Sequence, residues 1–419
     1  CSRLVACRRS SNSRRRFSVG RSVSSKICSW RLQHCASNFR RIQNVHEAPS
    51  KINRNEAFSL GQVSLPRMIR IAIVGCGRIA KRHADLLSTG QIMGAQLVAA
   101  CDVVAERSHS FARQYNVPGY GVLAEMLERA NADVVAVLTP SGSHAAVAIE
   151  VARASRHIIV EKPMALTLED ADAMIAAADA AGVRLFVVKQ NRFNVPVVKA
   201  RQALEAGRLG KLVLGTVRVR WCRDQSYYDR DAWRGTWAQD GGVIANQASH
   251  HVDMLAWFMG PVESVHARSS RALVDIEAED TVVATLRFRS GALGIIEATA
   301  ATRPKDLEGS LSVLGAGGTI EIAGFAVNKI RHWDFVEPRI EDADVIERFS
   351  VNPPNVYGFG HQAYYEHVVD CLAHGKAALV DGREGRASLE LVAALYESMA
   401  SGQEVTLPLK VVHSRLGRG

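Results

Sequence analysis

No apolar run in this 419-residue chain approaches the roughly 18 residues that a membrane-crossing helix requires; the longest, such as Ala132 to Leu138, are of strand length. No membrane partner is therefore expected. Paired cysteines at metal-ligand spacing are also missing. Cys76, Cys101, Cys222 and Cys371 lie far apart with no C-x-x-C among them, so no metal is expected, and reduced thiols in a cytoplasmic protein are the default reading. Acidic residues are almost absent from the front of the chain. Residues 1–67 hold 14 Lys and Arg against 2 Asp and Glu, whereas the other 352 residues hold 38 basic and 40 acidic side chains. The overall charge of +10 thus belongs to the front segment, and the slightly acidic body offers no electrostatic footprint for nucleic acid.

That Arg- and Ser-rich front segment contains Cys1, Cys7, Cys28 and Cys35 and has no sustained apolar periodicity. An organelle-targeting peptide has this composition, and so does a basic arm. The preferred reading is a third one: residues 1–67 are a disordered extension foreign to the natural protein, whose translation begins at Met68. With 47% hydrophobic and 22% charged residues, the remainder is an ordinary globular composition with room for two or three domains.

Ile69 to Val74 reads as a short buried strand, and Gly75-Cys76-Gly77-Arg78-Ile79-Ala80 follows it as a G-x-G-x-x-A turn opening a helix. The first Gly permits the tight turn, the second admits a pyrophosphate against the backbone, and Ala80 allows close helix–strand packing. The helix N-terminus then offers free N–H groups to the phosphates. The next strand ends at Asp102, where a carboxylate accepts hydrogen bonds from ribose hydroxyls and repels a 2′-phosphate. NAD, rather than NADP, is the expected cofactor; capping of the following helix is the competing role for Asp102. Helices and strands continue to alternate, through the turn Thr139-Pro140-Ser141-Gly142-Ser143-His144, as far as a last strand at Arg184 to Val188. This is an α/β pattern, a parallel sheet covered on both faces.

Within it, His157-Ile-Ile-Val160 runs directly into Glu161-Lys162-Pro163. A carboxylate and an ammonium at the carboxyl end of a buried strand lie where open α/β sheets bind ligands, and burying them is costly unless they are paired or used. Beyond Lys189 the pattern changes to runs of alternating apolar and polar residues: 212–221, 262–269, 280–289, 292–300 and 311–314. These predict an open, mainly antiparallel sheet in an α+β domain, with helices at 360–374 and 385–400. The expected domains are 68–188 for the cofactor, 189–405 for substrate and oligomerisation, and a tail at 406–419.

Gly75-x-Gly77-x-x-Ala80, Thr139-Pro140-Ser141-x-x-His144 and Glu161-Lys162-Pro163, in that order, resemble the glucose–fructose oxidoreductase / inositol dehydrogenase (Gfo/Idh/MocA) family over residues 69 to 405. The resemblance implies an N-terminal Rossmann domain, sugar-hydroxyl oxidation by NAD, and a homodimer or homotetramer. It implies cofactor contacts at Gly75, Gly77, Arg78, Ile79, Asp102, Thr139, Pro140, Ser141, His144, Glu161, Lys162 and Gln190. It also aligns His250 with an acid/base histidine that faces Lys162 across the nicotinamide.

One position departs from the family. Asn246 stands four residues before His250, where many members carry Asp, so no Asp–His dyad forms. Asn246, His250 and Asp253, spaced four and three apart, are read as sharing one helix. Lys189-Gln190-Asn191-Arg192-x-Asn194, Tyr227-Tyr228, Trp233-Arg234-Gly235-Thr236 and Asp240-Gly-Gly … Gln247-x-Ser249-His250 resemble the UDP-N-acetylglucosaminuronate 3-dehydrogenases. The expected small-molecule partner is then a nucleotide sugar held by Lys162, Arg192, Asn194, Tyr228, Trp233, Arg234, Asn246 and His250. His250 is expected to take the hydroxyl proton, Lys162 to stabilise the developing oxyanion, and Glu161 to keep Lys162 charged and aimed. A simple-sugar or inositol dehydrogenase is the alternative, with a non-catalytic dinucleotide-binding regulator behind it.

Overall fold

The computed structural model describes residues 67–324, 327–351, 358–410 and 413–418. The reading of the front segment as a disordered extension falls, apart from Arg67, outside the described residues.

The first half alternates strand and helix: β1 (Ile69–Val74), α1 (Arg78–Ser88), β2 (Ala95–Cys101), α2 (Ala105–Tyr115), β3 (Gly119–Tyr120), α3 (Leu123–Arg129), β4 (Val134–Val137), α4 (His144–Arg153), β5 (His157–Val160), α5 (Leu168–Ala180) and β6 (Leu185–Val187). The order across this sheet is β3-β2-β1-β4-β5-β6, and every pair is parallel. The strand order reverses between β1 and β4, which opens a crevice at their carboxyl ends. Strands β4, β5 and β6 are apolar in near-unbroken runs because helices cover both faces. Within the segment at 117–121, Gly119–Tyr120 forms the short edge strand β3.

The second half contains α6 (Val195–Glu205), β7 (Leu212–Arg220), α7 (Gln225–Tyr228), α8 (Ser249–Met259), β8 (Val262–Ser270), β9 (Thr281–Phe288), β10 (Leu293–Thr299), β11 (Glu308–Gly315), β12 (Gly318–Ala323), β13 (Lys329–Phe335), α9 (Val345–Arg348), α10 (Gly360–His374), α11 (Gly382–Ser401) and β14 (Val405–Thr406). The strands form one eight-stranded sheet, β13-β12-β11-β7-β10-β9-β8-β14, in which only β7 and β10 run parallel. Burial alternates along β9 and β10, as expected of a sheet with one covered face. On the open face Leu293 and Ile295 stand exposed, with Val283 opposite Glu297 in the same row.

The chain then returns to the first sheet. Tyr364, Tyr365, Val368 and Cys371 of α10 pack into the core under β1 and β2. Helix α11 divides its buried face, giving Leu389 and Ala393 to the first sheet's core and Leu391, Val392 and Leu395 to the second's. An Asp381 side chain that accepts the Glu384 N–H caps its start. The crevice of the first sheet therefore faces α8 and the loop before it.

Candidate active site

The Gly-rich turn is built as its residue types require. Gly75 has φ +92°, and a Cβ there would lie 2.7 Å from the Leu138 carbonyl oxygen. A Cβ on Gly77 would meet nothing within 4 Å, so the backbone is open on that side. Helix α1 begins at Arg78 with no side-chain cap, leaving its first N–H groups for an anion. Asp102 braces the turn: Oδ2 accepts the Cys76 N–H at 2.8 Å and Oδ1 accepts the Val104 N–H at 2.9 Å. Arg107 approaches the same carboxylate at 3.7 Å. Asp102 thus holds local backbone and also lines the crevice.

From there a single cavity of about 910 Å³ runs along the crevice to the loops of the second sheet. Its lining includes Gly75, Gly77, Arg78, Ile79, Asp102, Thr139, Pro140, Ser141, His144, Glu161, Lys162, Gln190, Trp233, Arg234, Asn246 and His250. Residues far apart in sequence and singled out for cofactor and substrate therefore share one cavity.

Three singled-out residues do not line it. Arg192 is buried, with Nε and Nη2 donating to the two carboxylate oxygens of Asp253 at 2.9 and 2.8 Å and Nη1 donating to Glu384 at 3.2 Å. Its planar fork is committed to protein carboxylates, so the expected substrate contact is corrected. Asn194 is buried beside α10, its amide donating to Asn191 at 3.4 Å. Tyr228 packs on Val274 and Ile276, while its neighbour Tyr227 faces the cavity.

The electrostatics of the Glu-Lys-Pro turn also differ from the expectation. Glu161 does not aim the Lys162 ammonium. One of its oxygens meets His83 Nε2 at 3.0 Å and lies 3.8 Å from His361, while the other accepts the Lys162 backbone N–H at 2.9 Å. His83 is held in turn by Tyr365 at 2.7 Å. Burial would raise the Glu161 pKa, but hydrogen bonds from His361 and His83 outweigh it and hold the carboxyl well below its usual range. These three groups bring possible metal-ligand atoms within 4.8 Å of one another, but Glu161 and His83 already satisfy each other directly. His144, at the start of α4, contacts the Pro163 and Thr139 carbonyls at 2.8 and 2.9 Å. It thereby ties two cavity-lining turns together.

Lys162 reaches across to the second sheet's side of the cavity. Its Nζ donates to the Asn246 carbonyl at 2.7 Å and lies 3.4 Å from Asn246 Oδ1. Asn246 is not on the helix with His250 and Asp253, because α8 begins at Ser249. It sits in the preceding turn, where its own carbonyl is turned toward the cavity. Burial lowers the Lys162 pKa, Glu161 and Asp240 raise it, Arg234 lowers it, and the net direction is downward.

His250 is lowered well below its ordinary value by burial, then by the charges of Lys162 and Lys189. The Gln190 amide nitrogen lies 3.0 Å from its Nε2. That ring nitrogen therefore already has a protein partner.

Sequence reasoning assigned no site role to Gln247, quoted only within a motif, or to His251. Both are buried and line the cavity, and none of their side-chain nitrogen or oxygen atoms has a hydrogen-bond partner among the described residues. Gln190 Oε1 and His250 Nδ1 are left in the same condition. Native interiors satisfy almost all such groups, so this cluster of unpartnered atoms sets the wall apart from ordinary core.

Comparisons with known proteins agree with this geometry. Residues 69–189 match the Gfo/Idh/MocA oxidoreductase family's NAD-binding Rossmann fold, and residues 201–407 match that family's C-terminal alpha/beta domain. The chain belongs to the Gfo/Idh/MocA oxidoreductase family, and it is an NAD-dependent dehydrogenase of the sugar and polyol class. It is 35% identical over 236 residues to the myo-inositol 2-dehydrogenase of Thermotoga maritima, covering 55% of this chain and 68% of that protein. Among solved structures it resembles the WlbA dehydrogenase of Bordetella pertussis in complex with NADH and UDP-GlcNAcA. That match has 46% identity and a TM-score of 0.78, covering 82% of this chain and 99% of that one. The WlbA dehydrogenase of Chromobacterium violaceum, in complex with the same two ligands, shares 43% identity with a TM-score of 0.77, over 82% and 97% of the two chains. Among the described residues, no helix is long and apolar enough to cross a membrane.

Asp102 carries a direct test of cofactor choice. Two charges 4 Å apart repel by roughly 4 kcal/mol at an effective dielectric near 20. Arg107, 3.7 Å from the carboxylate, offsets part of this for an incoming 2′-phosphate. NADH is expected to bind about 10- to 100-fold more tightly than NADPH, each tenfold step being about 1.4 kcal/mol. Asp102→Ser should narrow that gap. Fluorescence titration of both nucleotides measures it, and equal affinities in the unaltered protein would refute the argument.

Proposed function

We propose that the chain oxidises the 3′-hydroxyl of UDP-N-acetylglucosaminuronate to a ketone, a step in making sugars for surface polysaccharides. The observation that carries this reading is the cationic, aromatic mouth of the cavity. Arg223, Arg230 and Arg234 line it together with Trp221, Tyr227 and Trp233, opposed there by Asp231 and Asp306. The Arg234 guanidinium stacks on Tyr227 and Trp233 at 4.7 and 4.5 Å, and it is pinned by Asp231 at 2.9 Å and the Tyr227 hydroxyl at 2.8 Å. A guanidinium held this way is suited to a diphosphate or carboxylate, and the aromatic faces are suited to a base or sugar ring. An uncharged inositol has no use for such a mouth. Gln190, Gln247, His250 and His251 add polar side chains to the cavity wall, a lining that suits hydroxyl and acetamido groups. Resemblance at 43–46% identity to proteins crystallised with NADH and UDP-GlcNAcA supports the same assignment.

Bound NAD supplies the hydride acceptor, held by the Gly75–Ile79 turn and the α1 N-terminus. Lys162 meets the reacting hydroxyl. Two Nζ positions point to the oxygens of Asn246, and the third position serves the substrate. In neutral Lys162 that position is a lone pair that takes the hydroxyl proton; once protonated, it is an N–H that holds the new carbonyl oxygen. This moves the proton's destination from His250 to Lys162, the more basic of two buried groups. Neutral His250 orients the sugar. The overall balance is one hydride and one proton removed, and one C=O formed.

The test is reduction of bound NAD against UDP-N-acetylglucosaminuronate, UDP-N-acetylglucosamine, myo-inositol and free hexoses. Turnover is expected with the uronate nucleotide, at least ten-fold above the others if a charge-assisted pair worth about 1.5–3 kcal/mol is lost. Turnover confined to inositol or free hexoses would overturn the reading.

A further inference from the structure

Asp240 is 1% exposed, in the loop before α8. Among the described residues no Lys, Arg or His forms an ion pair with it. One carboxylate oxygen accepts the Gly235 N–H at 2.9 Å, and the other accepts the Asn246 Nδ2 amide at 2.5 Å. A carboxylate buried against neutral donors alone is expensive. The positive φ of Gly241, +78°, reverses the chain just after it and brings Asn246 back over the carboxylate. Asn246 passes the contact on. With its nitrogen committed to Asp240, its Oδ1 must face the other way, and that is where Lys162 Nζ lies, 3.4 Å from Oδ1 and 2.7 Å from the backbone carbonyl.

We propose that Asp240 is a positioning residue that, acting through Asn246, fixes the direction of Lys162 Nζ and supplies its counter-charge at the reacting hydroxyl. The inference rests on the placement of Lys162 at that hydroxyl. It gives a role to the departure at position 246. Asp at 246 would meet the ammonium directly, whereas Asn moves the negative charge one residue further away and leaves an amide that can point only one way. Glu161 also raises the Lys162 pKa through its charge, but it does not set the direction of Nζ, because its oxygens are taken by His83 and the Lys162 backbone N–H. The other charged or titratable groups coupled to Lys162 are Glu161, Arg234, Lys189, His144 and His250.

The test uses Asp240→Asn and the exchange Asp240→Asn/Asn246→Asp, which returns the charge next to Lys162. Asp240 raises the Lys162 pKa from behind Asn246, so Asp240→Asn should move the acid limb of kcat/KM for UDP-N-acetylglucosaminuronate to lower pH, by up to about one unit, the low end of what a directly paired charge gives. The exchange should bring it back to the original position or above. In ¹⁵N-lysine-labelled protein with NAD bound, the Lys162 Nζ resonance should titrate in parallel. An unmoved limb and resonance in Asp240→Asn would overturn the proposal, as would an exchange variant that stays low. If Asp240→Asn does not fold, the exchange variant decides alone: a limb at or above the original supports the proposal, and a lower one overturns it. The resonance needs no substrate. Failure of the sugar assignment therefore leaves this test intact, and failure of the test leaves the sugar assignment intact.

Discussion

Lys162→Met is expected to abolish most turnover while leaving the cofactor site intact. The substitution keeps the apolar stem and removes the group proposed as both proton acceptor and donor to the carbonyl oxygen. A positioned acid–base group is worth about 10²- to 10⁴-fold in rate, and loss of one donor to a developing oxyanion costs about 10²- to 10³-fold. Because the proposed mechanism gives both tasks to a single nitrogen, kcat should fall by at least about 10³-fold. NADH affinity should change little, since the Gly75–Ile79 turn and Asp102 are untouched. His250→Gln should cost less, because in the proposed mechanism its ring orients the substrate and carries no proton away.

The pH profile distinguishes the two roles. Lys162 must be neutral to accept the proton, so kcat/KM falls as pH drops through its pKa, and burial places that limb below the ordinary lysine range. His250, lowered well below its own ordinary value, stays neutral across the same span and contributes no limb there. Stopped-flow reduction of NAD reads both variants. A Lys162→Met protein with more than a tenth of normal turnover would remove Lys162 from the reacting oxygen.

The motifs at strand ends were legible because their chemistry is local. A Gly with positive φ, a helix opened without a cap and a charged pair ending a buried strand each follow from neighbours in sequence. The bounds of α10 were legible too, Gly360 to His374. Side-chain direction was not. Arg192 reads as an anion receptor until Asp253, 61 positions away, is seen to occupy its fork. Asn246 reads as helical by spacing, yet the helix starts three residues later, and its backbone carbonyl rather than its side chain makes the shorter contact with Lys162. His251 follows His250 by a turn of about 100°, so reading one face of the helix hid the other, although both rings line the cavity. Strand β13 went unread because Lys329, Arg331, His332 and Asp334 interrupt the apolar pattern, as charges on an edge strand do.

The Arg192–Asp253 pair, withdrawn from the substrate, is expected to hold the domain arrangement together. Asp253 lies on α8, Arg192 in the turn before α6, and Glu384 on α11, so one guanidinium joins three segments around the cavity. Arg192 also lies over Trp257, its Cζ 4.9 Å from the ring centroid. Removing one partner of a buried pair typically costs about 3–5 kcal/mol, because the other is left charged and uncompensated. Arg192→Met should show that loss in denaturant unfolding, softened where Lys189, 3.7 Å from Asp253, takes over part of the charge. Arg192→Met/Asp253→Asn should be more stable than Arg192→Met alone, since the stranded charge is gone. Acid sensitivity has a definite sign. Burial would raise the Asp253 pKa, but Arg192 and Lys189 bring it down to about 2, below its ordinary 3.8. A depressed carboxylate contributes stability that is fully present above the unfolded-state pKa and is lost as pH falls from near 4 through 2, here about 2 kcal/mol. Unfolding free energy measured against pH should therefore fall less steeply over that window in Asp253→Asn than in the unaltered protein. Equal slopes, together with an Arg192→Met protein of undiminished stability, would mean that this pair contributes nothing to holding the cavity's walls in place.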